Sequence, residues 1–200
     1  KTFPQFFEEA RGHIRVTVAH IKRNRGVDVD VNRFADFKKD EKIKALLRDS
    51  KAMGCFYVES PAMRMLLGKL QCEDYLTLVA ASSIIRPGVA SSGMMRAYIE
   101  RFHAVRAGKD YEVIHPRMHE LMRETYGVMV YQEDVIKVAH HFAGITLTEA
   151  DVLRRGMSGK YRSRQEFNRV KDRFFEECRK KGYEQHVIDR VWYEIESFSG

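Results

Sequence analysis

Residues 146–182 read TLTEADVLRRGMSGKYRSRQEFNRVKDRFFEECRKKG, and two helix starts are written into them. Thr146-Leu147-Thr148-Glu149 is a capping box. The threonine side chain accepts from the N–H three residues on, and the glutamate reaches back to the threonine N–H. The helix it opens ends near Gly156. Ser163-Arg164-Gln165-Glu166 repeats the pattern and opens a longer helix running to Lys181. Phe167, Val170, Phe174 and Cys178 recur at helical spacing as its inner stripe, and Gly182 is its stop.

The same signals extend outward. Ser60-Pro61 pairs an N-cap serine with a first-turn proline and predicts a helix to about Leu70. Asp74 to Ile85 is rich in Leu, Val and Ala and predicts a buried helix, broken by Arg86-Pro87-Gly88. Ser91 or Ser92 can cap a helix through Phe102, and residues 104–115 read as a loop. His115-Pro116 starts a short helix to Arg123. Residues 131–143 form an amphipathic helix around Val135, Val138, Ala139 and Phe142, stopped by Gly144. On the N-terminal side, Ile14, Val18 and Ile21 predict a helix over residues 9–24, ended by Gly26. Residues 27–40 read as an irregular link and 41–51 as a short helix. A last helix carries Val187, Val191, Trp192 and Ile195. Two stretches read as extended: Gly54 to Val58, by its strand-favouring side chains, and the brief apolar run Gly127 to Val130. The expected fold class is mainly α, a multi-helix domain with one or two short strands.

Hydrophobic residues make up 44% of the 200-residue chain, enough for a core, and no apolar run approaches the ~20 residues that cross a bilayer. Cys55, Cys72 and Cys178 are distant and odd in number, so reduced cytoplasmic thiols are expected rather than disulfides or a zinc site. The chain lacks an initiator methionine and stops without a tail, which reads as a cut from a longer chain. The net charge is +7, and its position is informative. Arg154 to Lys181 holds eleven Lys or Arg against four Asp or Glu, while the remainder balances 24 against 24. A focused basic stripe attracts phosphates; a solvated helix face is the bland alternative.

Within that stripe, Arg154 and Arg155 close a helix and a Gly-Met-Ser-Gly turn returns Lys160. Arginine forks grip phosphate oxygens and lysine adds a point charge, although cations at a helix C-terminus also simply answer its dipole. The GxxxxGK[ST] spacing is absent and no strand precedes the turn, so a Walker A loop is excluded. Arg86 leaves an apolar helix at a tight turn and needs a carboxylate, carbonyls or a phosphate. Tyr131 and Gln132, ahead of Glu133 and Asp134 at a helix start, suit a base or sugar, or else Tyr131 is a core residue. Neither the eight histidines nor Asp28 and Asp30 supply a metal set or a paired-carboxylate centre, so no catalytic or metal-binding residue is expected.

Several windows then fall in order: Gly54-Cys55-Phe56-Tyr57-Val58-Glu59-Ser60, Ile85-Arg86-Pro87-Gly88, Ser92-Gly93-Met94, Tyr126-Gly127-Val128-Met129-Val130-Tyr131-Gln132-Glu133-Asp134, and Ala150-Asp151-Val152-Leu153-Arg154-Arg155-Gly156-Met157. From about residue 10 to the end the chain resembles the alpha subunit of bacterial DNA polymerase III, the C-family replicative polymerase. The resemblance implies a fingers region, with residues 1–53 leading from the palm and 54–200 forming the fingers core. It implies a DNA-directed DNA polymerase, a nucleotidyltransferase, in the full-length protein. Arg86, Arg154, Arg155 and Lys160 are then expected to face the dNTP triphosphate or template, with Tyr131 and Gln132 matching a family motif. The palm carboxylates that hold Mg2+ are not recognisable here, so the fragment by itself is expected to be inactive. Template-primer DNA and dNTP are the implied ligands; sliding-clamp and exonuclease-subunit contacts are expected elsewhere in such a polymerase. A helical non-enzymatic DNA-binding or protein-interaction module is the alternative. The phosphate-gripping role carries a condition: it fails if the guanidinium groups scatter outward or lock onto the chain's own carboxylates.

Overall fold

The computed structural model describes residues 3–157 and 164–199, with side chains from residue 8 to 157 and from 164 to 198. The described residues form twelve α-helices and no strand. They separate into two compact units, residues 1–43 and 44–200.

In the first unit, α1 spans Phe3–Arg25 and contains the helix expected over 9–24. A second helix, α2 (Phe34–Lys39), occupies part of the stretch expected to be irregular. Its ends explain it: Asp36 lies in the first turn, paired with Arg33, and Lys38 and Lys39 lie in the last, each opposing the local end of the helix dipole. The Asp40 carboxylate accepts the N–H groups of Lys42 and Ile43 at 2.8 and 3.1 Å and starts α3 (Glu41–Arg48). No described side chain from residue 8 to 43 is buried. Local bonds and helix propensity therefore carry this unit, not a core.

The second unit holds the core. Its helices are α4 (Pro61–Leu70), α5 (Tyr75–Ile84), α6 (Pro87–Ser91), α7 (Met94–Arg106), α8 (Pro116–Leu121), α9 (Gln132–Lys137), α10 (Leu147–Gly156), α11 (Arg164–Lys180) and α12 (Gln185–Glu196). Caps set their starts. Ser60 Oγ accepts from Met63 N at 3.4 Å, Asp74 Oδ1 from Thr77 N at 2.8 Å, and His115 Nδ1 from Arg117 N at 3.0 Å. At α10 the capping box is complete, with Glu149 Oε2 accepting from Thr146 N at 2.9 Å and Thr146 Oγ1 from Glu149 N at 3.2 Å. The Ser163 capping box lies outside the described residues.

The expected inner faces are the ones that pack. Val170, Phe174 and Cys178 of α11 are buried, as are Val187, Val191, Trp192 and Ile195 of α12. Each large side chain taken fully from water stabilises the fold by about 1.5–3 kcal/mol. Burial also pushes the thiols of Cys72 and Cys178 up, to about 11 and about 12; all three cysteines are free thiols. Beyond α9 the helix widens into a π segment, Val138–Ala143. Lys181 Nζ and the Tyr183 hydroxyl both donate to its Phe142 carbonyl, at 3.0 and 3.1 Å, and Tyr183 stacks on the Phe142 ring.

Three expectations need correction. Gly54 to Val58 is a run of turns, not a strand. Gly54 and Tyr57 take φ of 82° and 64°, outside the β region, and Glu59 N bonds back to Cys55 O at 2.9 Å. Val128 to Val130 is buried but pairs with no strand; the Val130 N–H goes to the Asp134 carboxylate at 2.9 Å instead. Helix α5 is buried on one face only, with Thr77, Ala80, Ala81 and Ile84 inside while Tyr75 and Leu76 are exposed. In addition, α7 runs to Arg106, past the expected end at Phe102; in the added turn His103 Nε2 lies 2.7 Å from Lys69 O and the Arg106 guanidinium lies 5.4 Å over the Phe102 ring.

Candidate nucleotide-binding surface

The capping box of α10 fixes the direction of the helix, and the helix delivers Arg154 and Arg155 to its last turn. Val152 and Leu153 are buried beside them, which turns the two arginines outward, Arg154 half-buried and Arg155 exposed. Both guanidinium groups meet Asp151. Arg154 Nε and Nη2 donate to its Oδ1 at 2.9 and 2.7 Å, and Arg155 Nε lies 2.9 Å from its Oδ2. One carboxylate thus holds two guanidiniums side by side. The trio keeps one positive charge, and most of the arginine N–H donors are not used by Asp151. Both arginines are thus held on one of the chain's own carboxylates, an outcome that counts against the phosphate-gripping role; pairs this exposed contribute only about 0–1 kcal/mol, so a stronger anion can displace Asp151.

Much of the described remainder of the basic stripe is also answered locally. Arg173 meets Glu149 at 3.0 Å, Lys171 meets Glu196 at 3.1 Å, and Lys180 meets Glu176 and Glu177 at 2.7 and 3.0 Å. Lys181 is committed to the Phe142 carbonyl. Glu149 shows what this does. Burial pushes its carboxyl up, but the bonds from Thr146 and the charges of Arg173 and Arg169 outweigh burial and hold it below the ordinary carboxylate range. The stripe is an interleaved surface, and Arg154 and Arg155 are the part of it that shares a single carboxylate.

Tyr131 and Gln132 lie at the start of α9, which packs against α10. Asp134, 2% exposed, holds the approach to α9 by accepting the N–H groups of Val130 and Tyr131, each at 2.9 Å. Gln132 is half-buried on the first turn. Arg86 stands elsewhere: its Nε donates to Ser83 O at 3.2 Å and its guanidinium lies 5.5 Å over the Phe198 ring. The requirement for carbonyls is met there, and an aromatic face completes the site. Lys160 lies outside the described residues.

Next to Tyr131 is a cleft of about 530 Å3 that single residue types did not announce. Tyr98, Tyr126, Tyr131 and Glu124 line it, with Arg106 and Lys44. The signal available was Tyr126-Gly127, where two consecutive left-handed residues, φ 58° and 76°, turn the chain sharply. Among the described residues no three His, Cys, Asp or Glu side chains gather as a metal site, and no helix is long and apolar enough to cross a membrane.

Comparison with known proteins defines what this helical surface belongs to. Residues 12–182 match the bacterial DNA polymerase III alpha subunit finger domain. A DNA polymerase III subunit alpha of Aquifex aeolicus is 35% identical over 181 residues, 90% of this chain and 15% of that protein. One from Staphylococcus aureus strain COL is 31% identical over 186 residues, 93% of this chain and 17% of that protein. The chain belongs to the bacterial DNA polymerase III alpha subunit finger domain family. It spans about a sixth of the length of these relatives.

Proposed function

We propose that this chain is the fingers portion of a bacterial replicative DNA polymerase and binds the triphosphate of the incoming dNTP together with template DNA. The observation that carries the reading is the Arg154–Arg155 doublet, aligned by Asp151 at the end of α10, in a chain of the finger family. Phosphoryl transfer is catalysed largely by positioning and by positive charge placed where negative charge develops. Two guanidinium forks suit the departing pyrophosphate. A triphosphate carries more negative charge than Asp151, and an exposed ion pair yields to it at small cost.

In this reading Lys160, Tyr131 and Gln132 serve the same nucleotide and template side, Arg86 reaches the nucleic acid from its separate place beside Ser83 O and the Phe198 ring, and residues 1–53 lead in from the palm. Mg2+ belongs to palm residues outside this chain, where it supplies Lewis-acid stabilisation of the phosphoryl group. The sliding clamp and exonuclease subunit meet other parts of the polymerase, in the cytoplasm. Closure of the helical lid brings the arginines in and gates the chemistry.

Binding and extension assays on the chain alone test this. The expected result is weak duplex binding and no primer extension until a palm is supplied. Tight duplex binding with a steep salt slope marks a self-sufficient DNA-binding module and contradicts the proposal; binding indifferent to DNA and triphosphate marks an interaction domain and contradicts it equally.

A further inference from the structure

The charge balance outside residues 154–181 conceals a segregation. Residues 11–27 carry Arg11, Arg15, Lys22, Arg23 and Arg25 and no Asp or Glu, whereas residues 28–41 carry Asp28, Asp30, Asp36, Asp40 and Glu41. All five cations of the first run lie on α1. At about 100° per residue, Arg11, Arg15, Lys22 and Arg25 fall within about 80° of one another around the helix axis. At about 1.5 Å per residue they form a row about 21 Å long. Arg23 lies off the row, about 120° from Arg11.

The four side chains of the row are exposed. Arg11 lies 3.5 Å from Glu8, and Lys22 Nζ donates to Asp28 at 2.9 Å, but all four partners are more than half exposed and such pairs hold little. Arg15 and Arg25 make no ion pair among the described residues. The helix dipole explains only part of the row. Lys22 and Arg25 answer its negative end in the last turn, but Arg11 and Arg15 stand two or more turns earlier, beyond its reach. Arg11 and Arg15, four residues apart, also repel each other on the helix surface. An external polyanion relieves that repulsion.

The composition of α1 narrows the class of polyanion. From residue 8 to 25 it has no Phe, Tyr or Trp, so it offers no platform on which unpaired bases stack. Its apolar residues there are alanines with Ile14, Val16, Val18 and Ile21, without the Trp, Phe or Leu that seat a basic helix in a lipid surface. A straight, rigid row of cations suits a stiff and evenly charged partner. Duplex DNA is one, with a negative charge per about 1.7 Å of its axis.

We infer that the Arg11–Arg15–Lys22–Arg25 face of α1 binds the phosphate backbone of the paired, primer-bound part of the DNA. The inference rests on the polymerase reading, in which residues 1–53 only lead in from the palm, and gives that segment a ligand of its own. The contact is electrostatic and indifferent to base sequence.

The test measures binding of the full-length polymerase that carries this chain to a fluorescent primer-template across a series of salt concentrations. Each phosphate contact contributes about 0.9 to the slope of log affinity against log salt. Arg15→Gln and Arg25→Gln are each expected to flatten the slope by about 0.9, and replacement of all four cations by Gln by about 3–4. Arg15→Lys is expected to keep the slope, as is Arg23→Gln, and binding to the unprimed template strand should not change. Circular dichroism checks each variant; if the fourfold variant does not fold, the single variants decide the matter. Normal wild-type primer extension with slopes unmoved by Arg15→Gln and Arg25→Gln overturns the inference and leaves the polymerase reading standing. An equal effect of Arg23→Gln marks diffuse attraction without a defined face and also overturns it. So does an equal loss on the unprimed strand, or a loss confined to binding of phosphatidylserine vesicles. A wild-type protein that fails to extend any primer overturns both readings.

Discussion

The buried carboxylate of Asp134 accepts the backbone N–H of Tyr131 at 2.9 Å, and the same oxygen accepts the N–H of Val130. A single side chain thus replaces the strand partner that the Val128–Val130 run lacks, and it fixes where Tyr131 enters α9. Removing it strands two backbone donors in the interior. Asp134→Ala should therefore destabilise the chain by about 3 kcal/mol, read as a lower denaturant midpoint. Asp134→Asn, which keeps one acceptor oxygen, should cost less. Equal midpoints for wild type and Asp134→Ala would show that the contact carries no stability.

Gly127 follows Tyr126 with φ of 76°, and a Cβ there would meet Val113 Cγ1 at 2.6 Å and Arg101 Nη1 at 3.2 Å. Arg101 also donates to the Tyr126 carbonyl at 3.0 Å, so the crowding falls on the contact that positions Tyr126. Gly127→Ala combines left-handed strain with overpacking and should cost about 1–3 kcal/mol. Thermal unfolding of the variant checks this, and an unchanged midpoint contradicts it.

Glu149 gives a pH dependence of known sign. Its folded carboxyl lies below the ordinary value of 4.5, so it contributes stability above that pH and loses it as pH falls through the lower folded value. Glu149→Gln keeps a capping-box side chain but cannot titrate. The variant should be less stable than wild type at pH 7 and should approach it at a pH well below the ordinary carboxylate value. Urea midpoints at the two pH values measure this; a constant difference contradicts the assignment.

The parts legible from sequence were those governed by local rules. Ser60-Pro61, Asp74 and Thr146-to-Glu149 act through bonds within four residues, and the helices they start are where the caps place them. Phe174 and Cys178 were readable because helical period and burial coincide. Cys55 to Val58 was not, since strand-favouring side chains there pack around turns set by Gly54 and Tyr57. At the candidate site the doublet was visible, but its partner choice was not. Asp151 lies three and four residues away, close enough to capture both arginines, yet the sequence also offered a phosphate. The tyrosine cleft required tertiary placement, because Tyr98 and Tyr126 are 28 positions apart and meet with ring centroids 5.4 Å apart.

Asp151 is open to a direct stability test. Its ion pairs with Arg154 and Arg155 are partly exposed. Asp151→Asn should change stability by no more than about 1 kcal/mol, because ion pairs this exposed to solvent contribute little. In the full-length polymerase it should leave dNTP binding intact or tighter, since one competing negative charge is gone. A large loss of stability, measured by chemical denaturation, would mean that the arginines are structural and held by Asp151.

The central claim is that Arg154 and Arg155 receive the nucleotide's polyphosphate. Its most direct measurement is steady-state dNTP incorporation by the full-length polymerase carrying Arg154→Ala, Arg155→Ala or both. Loss of charge-assisted bonds predicts a drop in kcat/KM of about tenfold or more for each single variant and a larger one for the pair, with template-primer affinity little changed. Wild-type kinetics in both single variants and the double variant would contradict the account.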